Sequence, residues 1–176
     1  DTLLNNEGTT FLNEKLELLL SKALDEELIE DAIICKNDLE RNKLWEIREN
    51  AAENEKKELI NSNSKKCLKH DISLPINNIE KFHQETQKMI STKIKNTRTI
   101  FFGHLGDGNL HYNIFGNGIG DDGFENKSQN ITENLYKIIQ KLNGSFSAEH
   151  GIGQLKKNNL KFFKDPVAYD LMKSIK

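Results

Sequence analysis

The stretch Gly103-His104-Leu105-Gly106-Asp107-Gly108-Asn109-Leu110-His111-Tyr112-Asn113 indicates a β-hairpin with two histidines at its closed end. Strand-forming residues run from Thr99 to His104 and again from Leu110 to Phe115. The segment between them is made of Gly, Asp and Asn, the residues that favour tight turns. We therefore predict two antiparallel strands with His104 at the end of the first and His111 near the start of the second.

Alternation along the second predicted strand separates two sets of side chains. His111 and Asn113 fall on one face, and Leu110, Tyr112 and Ile114 fall on the other, which predicts that the second face packs on a core. Two neutral imidazoles that converge across a hairpin can bind a divalent metal ion. The same spacing also suits two partly buried histidines beside a flexible loop, and a metal site needs a third ligand.

A second cluster, Ser147-Ala148-Glu149-His150-Gly151-Ile152-Gly153, offers that third ligand. We predict a short strand from Ser145 to Ala148 and a glycine-rich turn after it. Glu149 can then complete a site with the two hairpin histidines. His150 points away from Glu149 on a strand and is free to act as a general base, since an ordinary histidine pKa of about 6.5 suits neutral pH. The alternative is a Glu-His pair that only caps a turn.

Two basic residues are further candidates. Arg48 follows Trp45-Glu46-Ile47 in a charged helix predicted from Leu39 to about Leu59. Lys69 lies in a strand predicted from Cys67 to Leu74, where alternation places it on the same face as Asp71. A solvated helix arginine and an exposed strand lysine are the alternatives, and spacing does not place either beside the histidine cluster.

The remaining pattern alternates helices with short strands. Ala32 to Cys35 is an apolar strand candidate. Helical spacing of apolar residues predicts helices over 11–24, from Asn78 as N-cap to 90, across a segment that contains Ile131 and Leu142 with Gly144 as the stop, and from near Val167 onward. These elements predict an α+β domain, in which helices cover mainly one face of a largely antiparallel sheet.

Composition narrows the classes of function. The chain has 176 residues, 36% apolar and 30% charged, which suits a globular domain with a polar surface. A net charge of -2 argues against nucleic-acid binding, and no apolar run approaches the ~20 residues of a membrane span. Cys35 and Cys67 are expected to be free thiols. The chain lacks an initial Met and stops inside a predicted helix, so we expect a piece of a longer protein.

The two glycine- and histidine-containing segments, 104–111 and 147–153, together resemble the C-terminal domain of FAD-linked oxidases of the vanillyl-alcohol-oxidase superfamily. That group includes D-lactate, glycolate and D-2-hydroxyglutarate dehydrogenases. Residues 44–49 resemble its Trp-x-x-Arg helix. Residues 69–75 resemble its Lys-x-Asp-x-Ser-Leu-Pro strand, most closely in the D-2-hydroxyglutarate branch. The resemblance covers most of the chain and implies one ferredoxin-like domain over 1–176.

The resemblance implies oxidation of a small D-2-hydroxyacid to the 2-oxoacid by hydride transfer to FAD. The N-terminal domain of the same parent chain would hold most of the FAD, so the isolated chain is expected to be inactive. The parent protein is expected to be mitochondrial or cytoplasmic. The residues with implied roles are the metal ligands His104, His111 and Glu149, with zinc as the ion, the substrate-binding Arg48, Lys69 and Asn113, and the base His150. Ala52 stands where the hydroxyglutarate branch has Thr, which weakens the case for that substrate.

Two other functions remain open on the residues alone. The same three ligands with an activated water would serve a flavin-independent metal hydrolase. The charged helices would serve a non-catalytic interaction module like the actin-interacting proteins named in this group. A bound flavin in the parent protein argues against the hydrolase. Partner binding that survives loss of the histidine cluster favours the module.

Overall fold

A computed structural model describes residues 6–61, 67–116 and 121–176 of the chain. The chain divides into two compact units, Asp1–Glu49 and Asn50–Lys176. The single domain expected over 1–176 stays a prediction. Among the described helices, none combines the length and apolar character that a membrane crossing requires.

The first unit contains two helices, α1 (Asn6–Asp25) and α2 (Asp38–Glu49). Asn37 accepts the Glu40 N–H at 2.9 Å while the Glu40 carboxylate accepts the Lys36 N–H at 2.9 Å, a reciprocal arrangement that begins α2. The strand predicted from Ala32 to Cys35 is wrong. Ile33 is exposed and the segment pairs with no strand among residues 6–49, so its backbone lacks the ladder partner that a strand needs.

The long helix predicted from Leu39 to Leu59 is two helices in the structure. Helix α2 ends at Glu49, a turn follows at Asn50, and α3 (Ala51–Asn61) begins with the Asn54 N–H donating to the Asn50 carbonyl at 2.8 Å. Asparagine competes with helical hydrogen bonds and favours helix ends, which explains a break at this position. The boundary between the two units falls at the same place.

The second unit is built on a three-stranded antiparallel sheet in the order β1-β3-β2. Its strands are β1 (Cys67–Ser73), β2 (Thr97–His104) and β3 (Asn109–Gly116), and its helices after α3 are α4 (Ile79–Lys93), α5 (Asp121–Lys141), α6 (Lys157–Phe163) and α7 (Pro166–Ile175). Single 3₁₀ turns span Ile76–Asn78 and Leu105–Asp107. A bridge between Ser73 and Ser145 adds one residue pair beyond β1. With the Ser145 bridge in place of a fourth strand, the succession of β1, α4, β2, β3 and α5 follows the β-α-β-β-α-β order of ferredoxin-like folds, and the predicted α+β class is confirmed.

The register of the sheet separates a core face from an open face. Lys69 pairs with Asn113 and Asp71 pairs with His111, so these four side chains share one face. The opposite face is buried under α4 and α5, as the alternation predicted. The main residues of this core are Ile72, Phe82, Ile90, Leu110, Tyr112, Ile114, Ile131, Leu135 and Ile139.

Two local expectations are corrected by the structure, and one helix was not expected. The strand predicted from Ser145 to Ala148 is reduced to the Ser145 bridge, because the N–H groups from Ala148 onward bind the Asp71 carboxylate instead of a neighbouring strand. Asn78 is the residue before α4, yet its side chain donates to the Leu142 carbonyl at 3.0 Å and caps nothing. Helix α6 was not anticipated.

The predicted end of α5 is confirmed. The Gly144 N–H donates to the Ile139 carbonyl at 2.9 Å just after the helix. A Cβ at Gly144 would lie 2.5 Å from the Ser73 carbonyl oxygen, so glycine permits the close approach that forms the bridge. The chain can then return to the edge of β1 and carry residues 147–153 along the open face.

Candidate functional site

A cavity of about 570 Å³ lies in the second unit, and its wall includes Lys69, Asp71, His111 and Asn113. These are the four side chains that the sheet register places on one face. Glu55 of α3 and the segment 149–156 complete much of the remaining wall. The cavity therefore joins the hairpin, strand β1 and the segment after the Ser145 bridge.

The hairpin turn brings β2 and β3 together at the histidine end. Gly108 has φ +69°, and a Cβ on it would lie 1.9 Å from the Leu74 carbonyl oxygen. The Leu74 N–H donates to the Gly108 carbonyl at 3.0 Å, and the Asp107 carboxylate accepts the Asn109 N–H at 3.0 Å. Only glycine has both the left-handed backbone and the absence of a side chain that this contact needs. The turn thereby fixes His104 across from Asn109.

Asp71 holds the segment that carries Glu149 and His150. Its carboxylate accepts the backbone N–H groups of Ala148, Glu149 and His150 at 3.0, 3.2 and 3.0 Å. Burial by itself raises the pKa of Asp71, but these three hydrogen bonds and the charge of Lys156 together hold that pKa below its ordinary value. Asp71 is therefore an ionised carboxylate that positions the two residues predicted to do chemistry.

Lys156 is the cation that accompanies Asp71. Its Nζ lies 3.8 Å from a carboxylate oxygen of Asp71 and donates to the carbonyls of Asp71 and Phe146 at 3.3 and 3.0 Å. Burial lowers the pKa of Lys156, and the neighbouring Asp71 carboxylate offsets part of that effect. All of these contacts lie within the protein, so Lys156 supports the wall of the cavity.

Glu149 lies next to both hairpin histidines. One carboxylate oxygen is 3.8 Å from Nε2 of His104 and the other is 3.5 Å from Nε2 of His111, while the Asn109 side-chain amide donates to Glu149. The three side chains range from half-exposed to mostly buried. The structure thus brings together the three residues predicted as metal ligands from two distant segments.

A second group of potential ligands overlaps with the first. One ligand atom each of Asp71, His111 and His150 lies within 4.8 Å of the others, and the rings of His111 and His150 stack with centroids 5.5 Å apart. The Asp71 oxygens already accept three backbone N–H groups. A metal ion on Asp71 would compete with these bonds, whereas Glu149 accepts only the Asn109 amide among the described contacts. We therefore favour Glu149 over Asp71 as the carboxylate ligand.

The donors of His104, His111 and Glu149 fit a divalent ion. Two imidazole nitrogens and one carboxylate oxygen form a donor set that zinc accepts, with metal–donor distances of ~2.0–2.2 Å. Tetrahedral donors at such distances are roughly 3.3 Å apart. The distances of 3.5 and 3.8 Å from Glu149 to the two imidazoles are within a few tenths of that separation. The chemistry of the three donors suits the group, and Glu149 reaches one imidazole with each of its two oxygens.

Lys69 and Asn113, the predicted substrate-binding residues of this unit, both contact Glu55. The Lys69 Nζ lies 2.5 Å from Oε1 of Glu55, and the Asn113 side-chain amide donates to Oε2 at 2.9 Å. Glu55 is only 5% exposed although its neighbours on α3 are polar and charged. Burial together with the Glu55 charge also raises the pKa of the Cys67 thiol to about 12, which leaves Cys67 protonated and unreactive.

Arg48, the other predicted substrate-binding residue, belongs to the first unit. It lies in the last turn of α2 and is partly buried. Ala52 lies in α3, and its side chain is outside the described residues. The role of Arg48 accordingly stays a prediction.

Sequence reasoning missed several residues that shape the cavity. Asp71 was noticed only for sharing a face with Lys69, and Asn109 lies within the quoted hairpin without an assigned role. Asn109 is buried, and its Oδ1 has no hydrogen-bond partner among the described residues. Strand alternation could have flagged Asp71 as a partner of His111. Glu55 lies in a charged helix whose pattern singles out no position.

Comparison with known proteins places this geometry in a family. The family of FAD linked oxidases, C-terminal domain, matches residues 3–176. The chain belongs to that family. A D-2-hydroxyglutarate dehydrogenase of Stutzerimonas stutzeri (strain A1501) is 29% identical over 99% of the chain and 36% of its own length. A mitochondrial D-2-hydroxyglutarate dehydrogenase of Arabidopsis thaliana is 34% identical over 93% of the chain and 27% of its own length.

The relatives differ in the substrate that their names give. A putative mitochondrial D-lactate dehydrogenase of Schizosaccharomyces pombe is 30% identical over 93% of the chain and 31% of its own length. The chain spans about a third of the length of the curated relatives it matches. The FAD-linked oxidase family assigned from the two histidine-containing segments is confirmed, and the relatives named here are D-2-hydroxyglutarate dehydrogenases and a putative D-lactate dehydrogenase.

Proposed function

We propose that the chain is the C-terminal, substrate- and metal-binding part of a flavin-dependent D-2-hydroxyacid dehydrogenase. The substrate is a small 2-hydroxyacid, which becomes a 2-oxoacid as its hydroxyl proton leaves and a hydride passes from C2 to FAD. The observation that supports this most strongly is the position of Glu149, next to both His104 and His111 and beside a cavity that His150 also lines. The names of the relatives point to the same class of substrate.

The metal ligands in this proposal are His104, His111 and Glu149, with zinc as the ion. When bound, a divalent ion acts as a Lewis acid and lowers the pKa of a coordinated hydroxyl group. The Asn109 amide orients the Glu149 carboxylate, and the Asp71 hydrogen bonds fix the backbone beneath it. These supporting contacts keep the ligand in place without an external partner.

His150 is the general base in this proposal. It lines the cavity, its ring stacks on the ring of His111, and its backbone N–H donates to Asp71 at 3.0 Å. These contacts limit where the imidazole can lie. A neutral imidazole here would accept the hydroxyl proton of the substrate as the 2-oxo group forms.

Carboxylate binding falls to Lys69, Asn113 and Arg48. Lys69 offers a point charge and Asn113 an amide on the cavity face, while the assignment of Arg48 rests on the family resemblance alone. A planar guanidinium can bind a carboxylate through two parallel hydrogen bonds. Lys69 and Asn113 also contact Glu55, so a substrate carboxylate that binds them must compete with Glu55.

The flavin and its domain are part of the proposal. FAD supplies the hydride acceptor, and most of it would be held by an N-terminal domain of the same parent chain, so we assign no residue of this chain to it. The oxidant that returns the flavin to its starting state is not assigned. Several relatives carry the word mitochondrial in their names, and we propose a mitochondrial or cytoplasmic setting.

The test is anaerobic reduction of the flavin in the full-length protein that contains this chain. D-lactate or D-2-hydroxyglutarate should bleach the flavin absorbance. His104→Ala should lose bound metal, measured by elemental analysis, and should lose most flavin reduction. His83→Gln, on α4, is the matched control and should keep both. Unchanged metal content in His104→Ala would show that His104 is not a metal ligand. A flavin that no D-2-hydroxyacid reduces would refute the proposed function.

A further inference from the structure

The side chain of Glu55 lies on the cavity wall, where Lys69 and Asn113 bind its carboxylate. One of its oxygens lies 2.5 Å from the Lys69 ammonium and the other accepts the Asn113 amide at 2.9 Å. Lys69 and Asn113 face each other across β1 and β3, so together they form one charged and hydrogen-bonding surface. An ammonium and an amide are the donors that a carboxylate from solution would also use.

Burial makes this contact different from an ordinary surface ion pair. Glu55 is 5% exposed, while Glu53 of the same helix is 62% exposed and lies 3.2 Å from Lys57 in solvent. A carboxylate is buried at large cost unless cations and donors satisfy it. Glu55 therefore depends on Lys69 and Asn113, and a ligand carboxylate that binds these two residues must compete with the Glu55 charge.

The charge of the cavity wall supports the same conclusion. Among the described residues that line it, three are carboxylates and two are lysines, so their formal charge is one negative with neutral histidines. Lys156 is already bound to Asp71 and two backbone carbonyls. A divalent ion in the proposed metal site brings the total to one positive, which complements one carboxylate. Without Glu55 the total formal charge would be two positive, which complements two carboxylates.

We propose that Glu55 determines substrate specificity by filling the carboxylate site of Lys69 and Asn113, so that the cavity selects 2-hydroxyacids with one carboxylate over those with two. The inference rests on the proposed function, which supplies the 2-hydroxyacid substrate and the divalent ion. A second carboxylate would meet the Glu55 charge at short range in a site partly shielded from water, where like charges repel most strongly.

The first experiment compares substrates in the full-length holoenzyme. We expect wild type to have a higher kcat/KM for D-lactate than for D-2-hydroxyglutarate. Glu55→Gln keeps the shape and removes the charge, and should shift the ratio toward D-2-hydroxyglutarate by about tenfold, as expected for one close charge pair. Glu55→Leu should shift it in the same direction. Glu53→Gln, the matched exposed control, should leave the ratio unchanged. A ratio that is the same in wild type and both Glu55 variants overturns the proposal.

A second readout does not depend on turnover. Glutarate and butyrate lack the 2-hydroxyl group, and their binding can be followed by thermal shift of the holoenzyme. Glu55→Gln should gain affinity for glutarate but not for butyrate. If no hydroxyacid reduces the flavin in any variant, the proposed function fails while the glutarate comparison still decides the role of Glu55. If hydroxyacids reduce the flavin but glutarate binding and the substrate ratio stay fixed, Glu55 has no such role and the proposed function stands.

Discussion

Two carboxylates line the same cavity, and their surroundings give them opposite properties. Glu149 is nearly half exposed and faces two imidazoles, which are neutral when they bind metals. Glu55 is buried and faces an ammonium that neutralises its charge and an amide that donates to one of its oxygens. Glu149 is therefore positioned to bind an ion, whereas Glu55 neutralises the Lys69 charge that a ligand carboxylate would otherwise use. The partner of a carboxylate, more than its presence in a cavity, decides its role.

We call the part of the cavity around Glu149, His104 and His111 the Glu149 end, and the part around Glu55, Lys69 and Asn113 the Glu55 end. The largest expected effect belongs to the Glu149 end. We predict that His150→Ala in the holoenzyme lowers kcat by about 10²–10⁴-fold, the usual contribution of a general base. Metal content should not change, because His150 is not among the proposed ligands. The preference between D-lactate and D-2-hydroxyglutarate should also persist, because the Glu55 end is intact. Steady-state kinetics and elemental analysis measure both, and near-normal turnover would remove His150 from the mechanism.

Asp71→Asn should have the next largest effect. An amide oxygen cannot replace a carboxylate that accepts three N–H groups, and Lys156 loses its buried partner. We expect a loss of about 3–5 kcal/mol in the free energy of unfolding, measured by denaturant titration. Asp170→Asn, which breaks only an exposed pair with Lys173, should change stability little. Equal losses in the two variants would contradict a positioning role for Asp71.

The pH dependence provides a second check on Asp71. Its pKa is depressed in the folded protein, so its ionisation stabilises the fold above the unfolded pKa of about 3.9, and this stabilisation is lost as the pH falls through the folded value. Wild type should therefore lose stability in acid more steeply than Asp71→Asn. This comparison isolates the carboxylate from the other groups that titrate there.

The Glu149 end was largely predictable and the Glu55 end was not. Turn residues between two strand patterns predicted the hairpin, and period two placed His111 and Asn113 on the open face. The ferredoxin-like order came from the family resemblance. By contrast, nothing in the charged run around Glu55 distinguishes it from the exposed Glu53 two positions earlier. Which glutamate is buried depends on tertiary contacts with β1 and β3, and helical spacing alone does not contain that information.

His70 connects the two ends from the core side of β1, between Lys69 and Asp71. Its imidazole is buried and contacts the Tyr112 carbonyl at 3.1 Å and the Thr132 hydroxyl at 3.2 Å. Burial lowers the pKa of His70 to about 4, with the Tyr112 carbonyl opposing and Lys156 adding to the shift. The unfolded chain binds a proton near pH 6.5, so stability is complete above that value and falls as the pH drops toward 4.

We predict that this histidine accounts for a stability loss on the order of 3 kcal/mol between those two pH values. His70→Gln should remove that part of the pH dependence, as measured by denaturant titration at several pH values. If the free energy of unfolding of His70→Gln falls with pH as steeply as that of wild type, other titrating groups cause the loss.

The smallest effect should come from the hairpin turn, where two glycines provide a matched pair. A Cβ at Gly108 would lie 1.9 Å from the Leu74 carbonyl oxygen and would force alanine into φ +69°, whereas a Cβ at Gly106 meets nothing within 4 Å. We expect Gly108→Ala to cost about 2 kcal/mol in the free energy of unfolding, from strain and overpacking, and Gly106→Ala to cost little. Because Gly108 fixes the strand ends that carry His104 and His111, its variant should weaken metal binding while the Glu55-dependent preference for one carboxylate persists. If Gly108→Ala altered that preference as much as metal binding, the two ends of the cavity would not be independent. The contrast between Glu149 and Glu55 would then have to be explained by the hairpin, which both side chains contact.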